Sequence, residues 1–282
     1  MTELAIRFAA LTDVGRTRQN NEDAFQITDL TTGAIFDACS SEASFKVGER
    51  GALLALSDGM GGHAGGEIAS AVVISSLRVA LQTDGLGKAE QRLEAAIRGA
   101  NAEVAEAAKV KNKHGMGATL TAVLVDETGA YVAEVGDSRA YLLRAGQLKQ
   151  LTRDQSLAQM MLDIGLCTRE QAEHSPQKNI LLQAMGLSRD IHAAIAHVTL
   201  RQRDKLLLCS DGISNAVADD ELREILEANE PNLACLRLVQ LANERGGEDN
   251  LTAVVAVFED RTLPFPSPSE TVTATFTVIK GF

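Results

Sequence analysis

The sequence predicts an α+β fold in which antiparallel sheets are covered by pairs of helices. Helical periodicity over 65–81 and 88–109 gives way, from Thr119 onward, to short strand patterns joined by tight turns. These strands cluster in hairpins and do not alternate one by one with helices. The clustering argues against a doubly wound parallel sheet.

The elements follow from periodicity and turn chemistry. The two long helices carry apolar residues at helical spacing, for example Leu93, Ile97 and Val104. Turn dipeptides such as Thr128-Gly129 and Gly136-Asp137 separate four short apolar runs, which we expect to form a meander. Shorter helices are expected at 155–163, 220–228 and 233–243, and strands at 119–125, 130–135, 140–144, 147–151 and 251–258.

Composition excludes several classes of protein. A hydrophobic fraction of 45% and a charged fraction of 23% over 282 residues are ordinary for a globular chain that buries a large core. The net charge of −11 argues against a nucleic-acid binder, because no basic patch neutralises phosphates. No run approaches the roughly 20 apolar residues of a membrane span. Four cysteines without CxxC spacing favour reduced thiols, and we expect a cytoplasmic monomer.

The C-terminal tail differs from the rest of the chain. Three of the five prolines, Pro264, Pro266 and Pro268, precede an alternating threonine and apolar stretch at 271–278. This pattern suggests a mobile linker followed by an edge strand. We therefore expect a globular domain over 1–260 and a separate tail over 261–282.

Acidic residues recur where predicted strands end. Two apolar runs lead into the same tripeptide, Ser-Asp-Gly, at 57–59 and 210–212, and each predicts a buried strand that leaves a carboxylate at its tip. Carboxylates delivered from several strand ends suit a hard divalent cation such as Mg²⁺ or Mn²⁺. Comparable breaks occur at Glu22-Asp23, Gly136-Asp137 and Glu248-Asp249.

Each acidic corner taken alone is also explained by an ordinary turn. The segment 58–67 is harder to explain in this way, because five of the eight residues from 59 to 66 are glycine. Such a segment at a helix start lets the backbone approach a metal or a phosphate closely. The joint pattern of acidic corners therefore favours one metal site over unrelated turns.

The ordered set of motifs resembles the metal-dependent protein phosphatases of type 2C in their bacterial form. The resemblance runs in family order over about residues 8–258. The matching stretches are Arg18 with Asn21-Glu22-Asp23, Asp58-Gly59-Met60-Gly61-Gly62, Gly117-Ala118-Thr119-Leu120, Val135-Gly136-Asp137-Ser138-Arg139, Leu208-Cys209-Ser210-Asp211-Gly212 and Glu248-Asp249-Asn250-Leu251-Thr252.

The resemblance implies two central antiparallel sheets between pairs of antiparallel helices, with a small flap subdomain at about 153–185. It marks 28–50 as a surface insertion. It also implies hydrolysis of phosphoserine and phosphothreonine on proteins, by direct attack of a hydroxide that bridges two metal ions. Such an enzyme opposes a bacterial serine/threonine kinase.

Site residues carry over position by position. The resemblance implies that Arg18 binds the substrate phosphate, that Glu22 acts mainly through bound water, and that Asp137 joins Asp211 to hold a third, weaker ion. Arg18 and Asp58 would be the catalytic residues. The implied ligands of the two core Mn²⁺ or Mg²⁺ ions are Asp23, Asp58, Asp211, Asp249 and the backbone carbonyl of Gly59.

The sequence departs from the family pattern in two motifs. Met60 replaces a histidine that eukaryotic relatives carry, and its thioether cannot donate a proton to a leaving group. His63 lies three residues later, and we expect it to cap or pack at the helix start without a catalytic role. In the flap, the stretch 174–179 departs from the usual motif.

Two other classes of function stay open from the sequence. A catalytically silent phosphoprotein-binding scaffold on the same fold would retain the motifs without turnover. A metal-dependent nuclease or phosphodiesterase would also use clustered acids, although the negative charge of the chain speaks against it.

Overall fold

Two antiparallel sheets lie face to face at the centre of the computed structural model, and helices cover the outer face of each sheet. The predicted α+β class is therefore confirmed. The described part of the chain comprises residues 4–37, 41–61, 65–83, 85, 87–113, 115–173, 175, 177–260, 262–267, 270–273 and 275–278, with the backbone alone at 173 and 275–278.

All strand pairings within these ranges are antiparallel. The strands are β1 (Ala5–Asp13), β2 (Asp23–Asp29), β3 (Ile35–Phe36), β4 (Ala43–Lys46), β5 (Ala52–Met60), β6 (Gly117–Ala118), β7 (Leu120–Asp126), β8 (Gly129–Val135), β9 (Arg139–Arg144), β10 (Gln147–Gln150), β11 (Ala194–Val198), β12 (Lys205–Cys209), β13 (Leu251–Glu259) and β14 (Thr275–Val278). The first sheet has the order β10-β9-β12-β13-β1-β4. The second has the order β14-β11-β8-β7-β5-β2-β3, with β6 paired to β5.

The helices form two outer layers. Their bounds are α1 (Gly65–Thr83), α2 (Ala89–Val110), α3 (Leu157–Asp163), α4 (Arg169–Glu173), α5 (Asp211–Ser214), α6 (Asp219–Ala228) and α7 (Pro231–Glu244). Helices α1 and α2 cover the second sheet, and α6 and α7 cover the first. None of the helices in the described ranges is long and apolar enough to cross a membrane. Cys209 and Cys235 are buried, Cys167 is partly buried, and Cys39 lies outside the described residues.

Strand β5 packs against two layers at once, because successive side chains of a strand point to opposite faces of the sheet. Leu54 and Leu56 lie in the core between the two sheets. Leu53 and Ala55 pack instead against α1 and α2. Strand β13 alternates in the same way between the central core and the layer of α6 and α7. Both faces of these strands are buried, so their sequences are continuously apolar.

The predicted four-strand meander is wrong. Strands β7 and β8 form a hairpin in the second sheet, whereas β9 and β10 form a hairpin in the first. The chain crosses between the sheets at 136–138, where Gly136 has a φ of +114° and a Cβ would lie 2.7 Å from Thr119 Cγ2. Pairing of β9 with β12 then buries both faces of β9, with Leu142 in the central core and Tyr141 under α6 and α7.

The strand ends at the two Ser-Asp-Gly motifs also differ from expectation. Strand β5 does not stop at Asp58 but continues to Met60, because β6 pairs with Gly59 and Met60 and extends the ladder. The second motif does follow the end of β12, and Asp211 is the first residue of the short helix α5. The prediction of a carboxylate at a strand tip therefore holds for Asp211 alone.

The segment 28–50, predicted as a surface insertion, supplies edge strands to both sheets. Strand β3 pairs with β2, and β4 pairs with β1. The rings of Phe36 and Phe45 stack with centroids 5.8 Å apart, and Phe8 packs edge-on against both at 5.1 and 5.5 Å. Aromatic pairs of this kind add stability beyond their buried area. Residues 38–40 lie outside the described ranges.

The described tail packs against the sheets and is not a free linker. Leu263 and Val272 contact the central core, and β14 pairs with β11 as the predicted edge strand. Between them, the Glu270 carboxylate forms an ion pair with Arg201, whose Nε lies 2.7 Å from Oε1, and Oε1 accepts a hydrogen bond from Arg144 Nη1 at 3.4 Å. The tail thus runs from the last strand of the first sheet to the edge of the second.

A buried ion pair beneath this tail provides a test of the packing. The Arg144 and Asp204 side chains are 3% and 0% exposed, and two hydrogen bonds of 2.9 and 2.6 Å join them. Asp204→Asn leaves the buried guanidinium short of compensating charge, so the free energy of unfolding should fall by about 3 kcal/mol. Urea denaturation measures the change. Glu106→Gln, in the exposed pair with Lys109, is the control and should leave stability nearly unchanged. Equal effects of the two variants would contradict the buried pairing.

Candidate metal centre

The second sheet brings Asp23 and Asp58 together. Strands β2 and β5 pair in a register that sets the Cα atoms of these two residues opposite each other. The amide of Gly59 donates a hydrogen bond of 3.1 Å to the carbonyl oxygen of Glu22. Glu22, Asp23 and Asp58 therefore lie at one end of this sheet.

The first sheet brings Asp211 and Asp249 to the same place. Asp211 follows β12, Asp249 precedes β13, and these two strands are neighbours. A direct link joins the sheets, since Asp23 Oδ2 accepts hydrogen bonds from Ser210 Oγ at 2.8 Å and Thr252 Oγ1 at 2.6 Å. The predicted acidic corners of both sheets thus meet at one end of the sandwich.

Glycine is required where the start of α1 lies against this end. A Cβ on Gly59 would lie 2.1 Å from the carbonyl oxygen of Gly66, and a Cβ on Gly66 would lie 2.6 Å from Glu22 Oε2. The sequence predicts that these glycines admit a metal or a phosphate. At these two positions they admit neighbouring backbone and the Glu22 carboxylate. Residues 62–64, with His63, lie outside the described ranges.

Arg18 lies at the rim of the acidic cluster. Its side chain is 52% exposed, and Nη2 donates a hydrogen bond of 2.8 Å to Asp249 Oδ2. The loop that carries it packs closely on the segment before β13, because a Cβ on Gly15 would lie 2.2 Å from the carbonyl oxygen of Asp249. The guanidinium is therefore held at the site and remains accessible to a ligand.

Asn250 fastens this loop, a role that sequence reasoning missed. Its Nδ2 donates to the carbonyl oxygens of Val14 at 3.0 Å and Asn20 at 2.9 Å, and its Oδ1 accepts the Glu22 amide at 2.8 Å. The residue is 5% exposed. A buried amide with three partners is costly to replace. The only signal in the sequence was the position of Asn250 directly after the acidic pair.

Thr119 is a second missed residue, and it connects two of the predicted acids. Its Oγ1 accepts the Asp58 amide at 2.9 Å and lies 2.9 Å from Ser138 Oγ, in the turn that carries Asp137. Thr119 and Ser138 are both buried. The distance between the Asp58 strand and the Asp137 turn is therefore held by side-chain hydroxyls.

The acids surround a cavity of about 390 Å³. Asp23 is not among the residues that line it, and two hydroxyl groups hold Oδ2 of its carboxylate. The flap contributes Asn179 and Leu181, whereas His174 and Pro176 of its motif lie outside the described residues. The wall comprises Arg18, Gln19, Asn20, Glu22, Asp58, Gly59, Met60, Gly61, Thr119, Asp137, Asn179, Leu181, Asp211, Asp249 and Asn250.

Burial and mutual repulsion disfavour the charged forms of five carboxyl groups at the site, those of Glu22, Asp23, Asp58, Asp137 and Asp211. Burial is the largest cause, and it raises the pKa of Asp23 to about 7, of Asp137 to about 8 and of Asp211 to about 6. The pKa of Asp58 is well above its usual range because of burial and then the charges of Asp23 and Asp211. Burial also raises the pKa of Glu22. Bound cations would remove this penalty.

The donor set fits divalent cations. Asp23 Oδ1 and Asp211 Oδ1 are buried and find no hydrogen-bond partner among the described residues, although buried polar atoms normally have one. Within the described ranges, no three histidine, cysteine, aspartate or glutamate side chains already stand in the arrangement that holds one ion. Divalent ions also take backbone carbonyls and water as oxygen ligands, so carboxylates need not complete the set.

The raised pKa values predict a pH dependence for the metal-free protein. Unfolded aspartates titrate near 4, whereas the folded values reach about 6 to 8, so the unfolded chain releases protons first as the pH rises. This contribution to stability is therefore present below pH ~4 and is lost progressively between pH ~4 and ~8. In chelator, the melting temperature of Asp137→Asn should fall less steeply over this window than that of the wild type. Asp126→Asn, on an exposed hairpin, is the control. Parallel slopes for Asp137→Asn and the wild type would contradict the repulsive cluster.

Comparisons with known proteins agree with this geometry. The family model described as "Protein phosphatase 2C" matches residues 34–253. The serine/threonine protein phosphatase PstP of Mycobacterium tuberculosis is 37% identical over 254 residues, which are 90% of this chain and 45% of PstP. The serine/threonine phosphatase stp of Listeria monocytogenes is 35% identical over 86% of this chain and 92% of its own length.

A solved structure is also similar. The crystal structure of the PstP catalytic domain in complex with two manganese ions has a TM-score of 0.76 at 35% identity, and it covers 91% of this chain and all of that one. The chain spans less than half of full-length PstP. The resemblance drawn from the ordered motifs is confirmed: this chain belongs to the protein phosphatase 2C family.

Proposed function

We propose that the chain is a metal-dependent protein phosphatase that hydrolyses phosphoserine and phosphothreonine on proteins. The observation that carries the proposal is the convergence of acidic residues from both sheets on one cavity with Arg18 at its rim. The relatives named serine/threonine phosphatases support the same activity. The intact set of acids favours an enzyme over a silent scaffold.

The proposed core site holds two Mn²⁺ or Mg²⁺ ions. Support comes from the unpartnered oxygens of Asp23 and Asp211, from the raised pKa values of these acids, and from the two manganese ions in the PstP structure. When bound, such ions activate water as a nucleophile and neutralise phosphate charge. The proposed ligands are Asp23, Asp58, Asp211, Asp249 and the carbonyl of Gly59, with Glu22 acting through water, and Asp137 with Asp211 for a third, weaker ion.

Arg18 is the proposed phosphate-binding and catalytic residue. Its guanidinium presents donors in a planar fork that matches phosphate oxygens, and it already contacts the acidic cluster through Asp249. A bound phosphate would replace the Asp249 carboxylate as its partner. Held at the rim, the guanidinium stabilises negative charge that develops on the phosphoryl oxygens.

The wider setting follows from the proposed reaction. A phosphatase of this class opposes a serine/threonine kinase that supplies its phosphorylated protein substrates. A monomeric state and a cytoplasmic location are part of the proposal and stay predictions. Met60 lines the cavity and has no proton to donate, so protonation of the leaving alkoxide falls to another group.

The proposed ligand role of Asp211 has a direct test. Asp211→Asn removes a charged ligand and should lower turnover of a phosphothreonine peptide with Mn²⁺ by more than about a hundredfold. The side chain volume is preserved, so the fold should be retained by circular dichroism. Asp220→Asn, at the exposed start of α6, is the matched control. Full turnover by Asp211→Asn would contradict the assignment, and an inactive wild type would contradict the phosphatase.

Asp137 is tested separately from the core ligands. If it helps to hold a third, weaker ion, Asp137→Asn should lose the weakest step of a calorimetric Mn²⁺ titration and keep the tighter steps. The concentration of Mn²⁺ at half-maximal activity should rise in the same variant. An unchanged titration would remove Asp137 from the ligand set and leave the core assignment standing.

A further inference from the structure

Gln155 lies where the chain enters the flap segment, defined as residues 153–185. Its backbone makes two short hydrogen bonds. The Gln155 amide donates to the carbonyl oxygen of Gly136 at 2.7 Å, and its carbonyl accepts the amide of Leu182 at 2.8 Å. One residue thus contacts both the turn before Asp137 and the part of the flap that leaves the cavity.

The side chain of Gln155 repeats the same connections. Its Oε1 accepts the amide of Gly136 at 3.1 Å and Nε2 of Gln183 at 3.4 Å. Its Nε2 lies 3.3 Å from the carbonyl oxygen of His192 and 3.4 Å from that of Glu134. The side-chain amide of Gln155 therefore contacts the end of the flap, through Gln183, and strand β8 with the turn that follows it, through Glu134 and Gly136.

The turn that Gln155 contacts has little freedom of its own. Gly136 has a positive φ, and it packs so closely on Thr119 that a Cβ would lie 2.7 Å from Cγ2. Thr119 in turn holds the Asp58 amide at 2.9 Å. The flap is therefore fastened to the rigid part of the acidic site and not to a loose loop.

The far part of the flap forms a wall of the cavity. Asn179 and Leu181 line it, and an isolated bridge between Ser156 and Leu181 joins this part to the residue after Gln155. A shift of the Gln155 anchor would therefore move Asn179 and Leu181 relative to the acids. Ser210 holds Asp23 and Asn250 fastens the loop of Arg18, so these would stay in place. The contact between Thr119 and Ser138 holds the turn of Asp137 independently of Gln155.

We propose that Gln155 is a positioning residue that sets the flap against the turn at Gly136 and so sets the wall formed by Asn179 and Leu181 for a phosphopeptide. The proposal rests on the proposed phosphatase activity. A peptide spans the flap wall, whereas a small aryl phosphate occupies only the acidic site and Arg18. Loss of the Gln155 side chain should therefore separate the two kinds of substrate.

The experiment compares Gln155→Ala with Gln159→Ala. Gln159 lies in the same flap, and its side-chain amide donates to Asp163 at 2.7 Å on the exposed surface. In Gln155→Ala, KM for a phosphothreonine peptide should rise about tenfold, the effect of losing one or two net hydrogen bonds. Its kcat, and both constants for p-nitrophenyl phosphate, should stay within about twofold of the wild type. Trypsin should cleave the flap of Gln155→Ala about tenfold faster.

A second variant guards against a general loss of folding. Gln155→Glu keeps the side-chain volume and the acceptor for the Gly136 amide, but it places an acceptor oxygen against the carbonyl oxygens of His192 and Glu134. It should therefore show the same split, with a rise in KM at least as large. Equal peptide KM and cleavage rates in Gln155→Ala and Gln159→Ala would overturn the proposal. Parallel losses on both substrates without faster cleavage would also overturn it. A wild type that turns over neither substrate would refute the phosphatase, and the cleavage rates would still decide the anchoring role.

Discussion

The structure depends on one electrostatic constraint, the burial of several carboxylates where the ends of two sheets meet. Burial and the charges of neighbouring carboxylates disfavour the ionised forms of Asp58 and Asp137, for example. The surrounding protein holds them by hydrogen bonds that do not neutralise them, such as those from Ser210 and Thr252 to Asp23. When these carboxylates are ionised, their mutual repulsion lowers the free energy of unfolding of the sandwich. Bound cations would offset this charge, so the cluster favours their binding.

The supporting residues divide into two groups. Asn250 and the glycine contacts fasten the loop of Arg18 to the first sheet. Thr119 with Ser138 fastens the second sheet to the crossing turn. The two groups act on different parts of the cavity, one on the side that would bind phosphate and one on the side toward the flap. The acids therefore lie in strands or within a few residues of strand ends, while loops carry the contacts with a substrate.

Much of the fold and site was predictable from local patterns. The long helices, most strand positions and the meeting of the acids follow from periodicity and from repeated acidic corners beside strands. The resemblance to type 2C phosphatases is confirmed at the level of family and fold, whereas the individual ligand roles stay predictions. The partner of β9 was not predictable, because the turn at Gly136 depends on its contact with Thr119, which is distant in sequence. The roles of Asn250 and Thr119 were missed for the same reason, since a hydroxyl or amide reveals its partners only in three dimensions.

Strand β14 has a consequence for the backbone edge of the second sheet. It lies on β11, whose far edge would otherwise present unpaired backbone N–H and C=O groups beside a large antiparallel sheet. Open edges of this kind recruit strands from other molecules. A chain shortened before residue 275 would keep every acid of the cavity and still expose a template for intermolecular β-pairing. The last described strand thus covers the edge of β11 and becomes the short, four-residue edge of the sheet in its place, at a position unrelated to the chemistry of the acidic end.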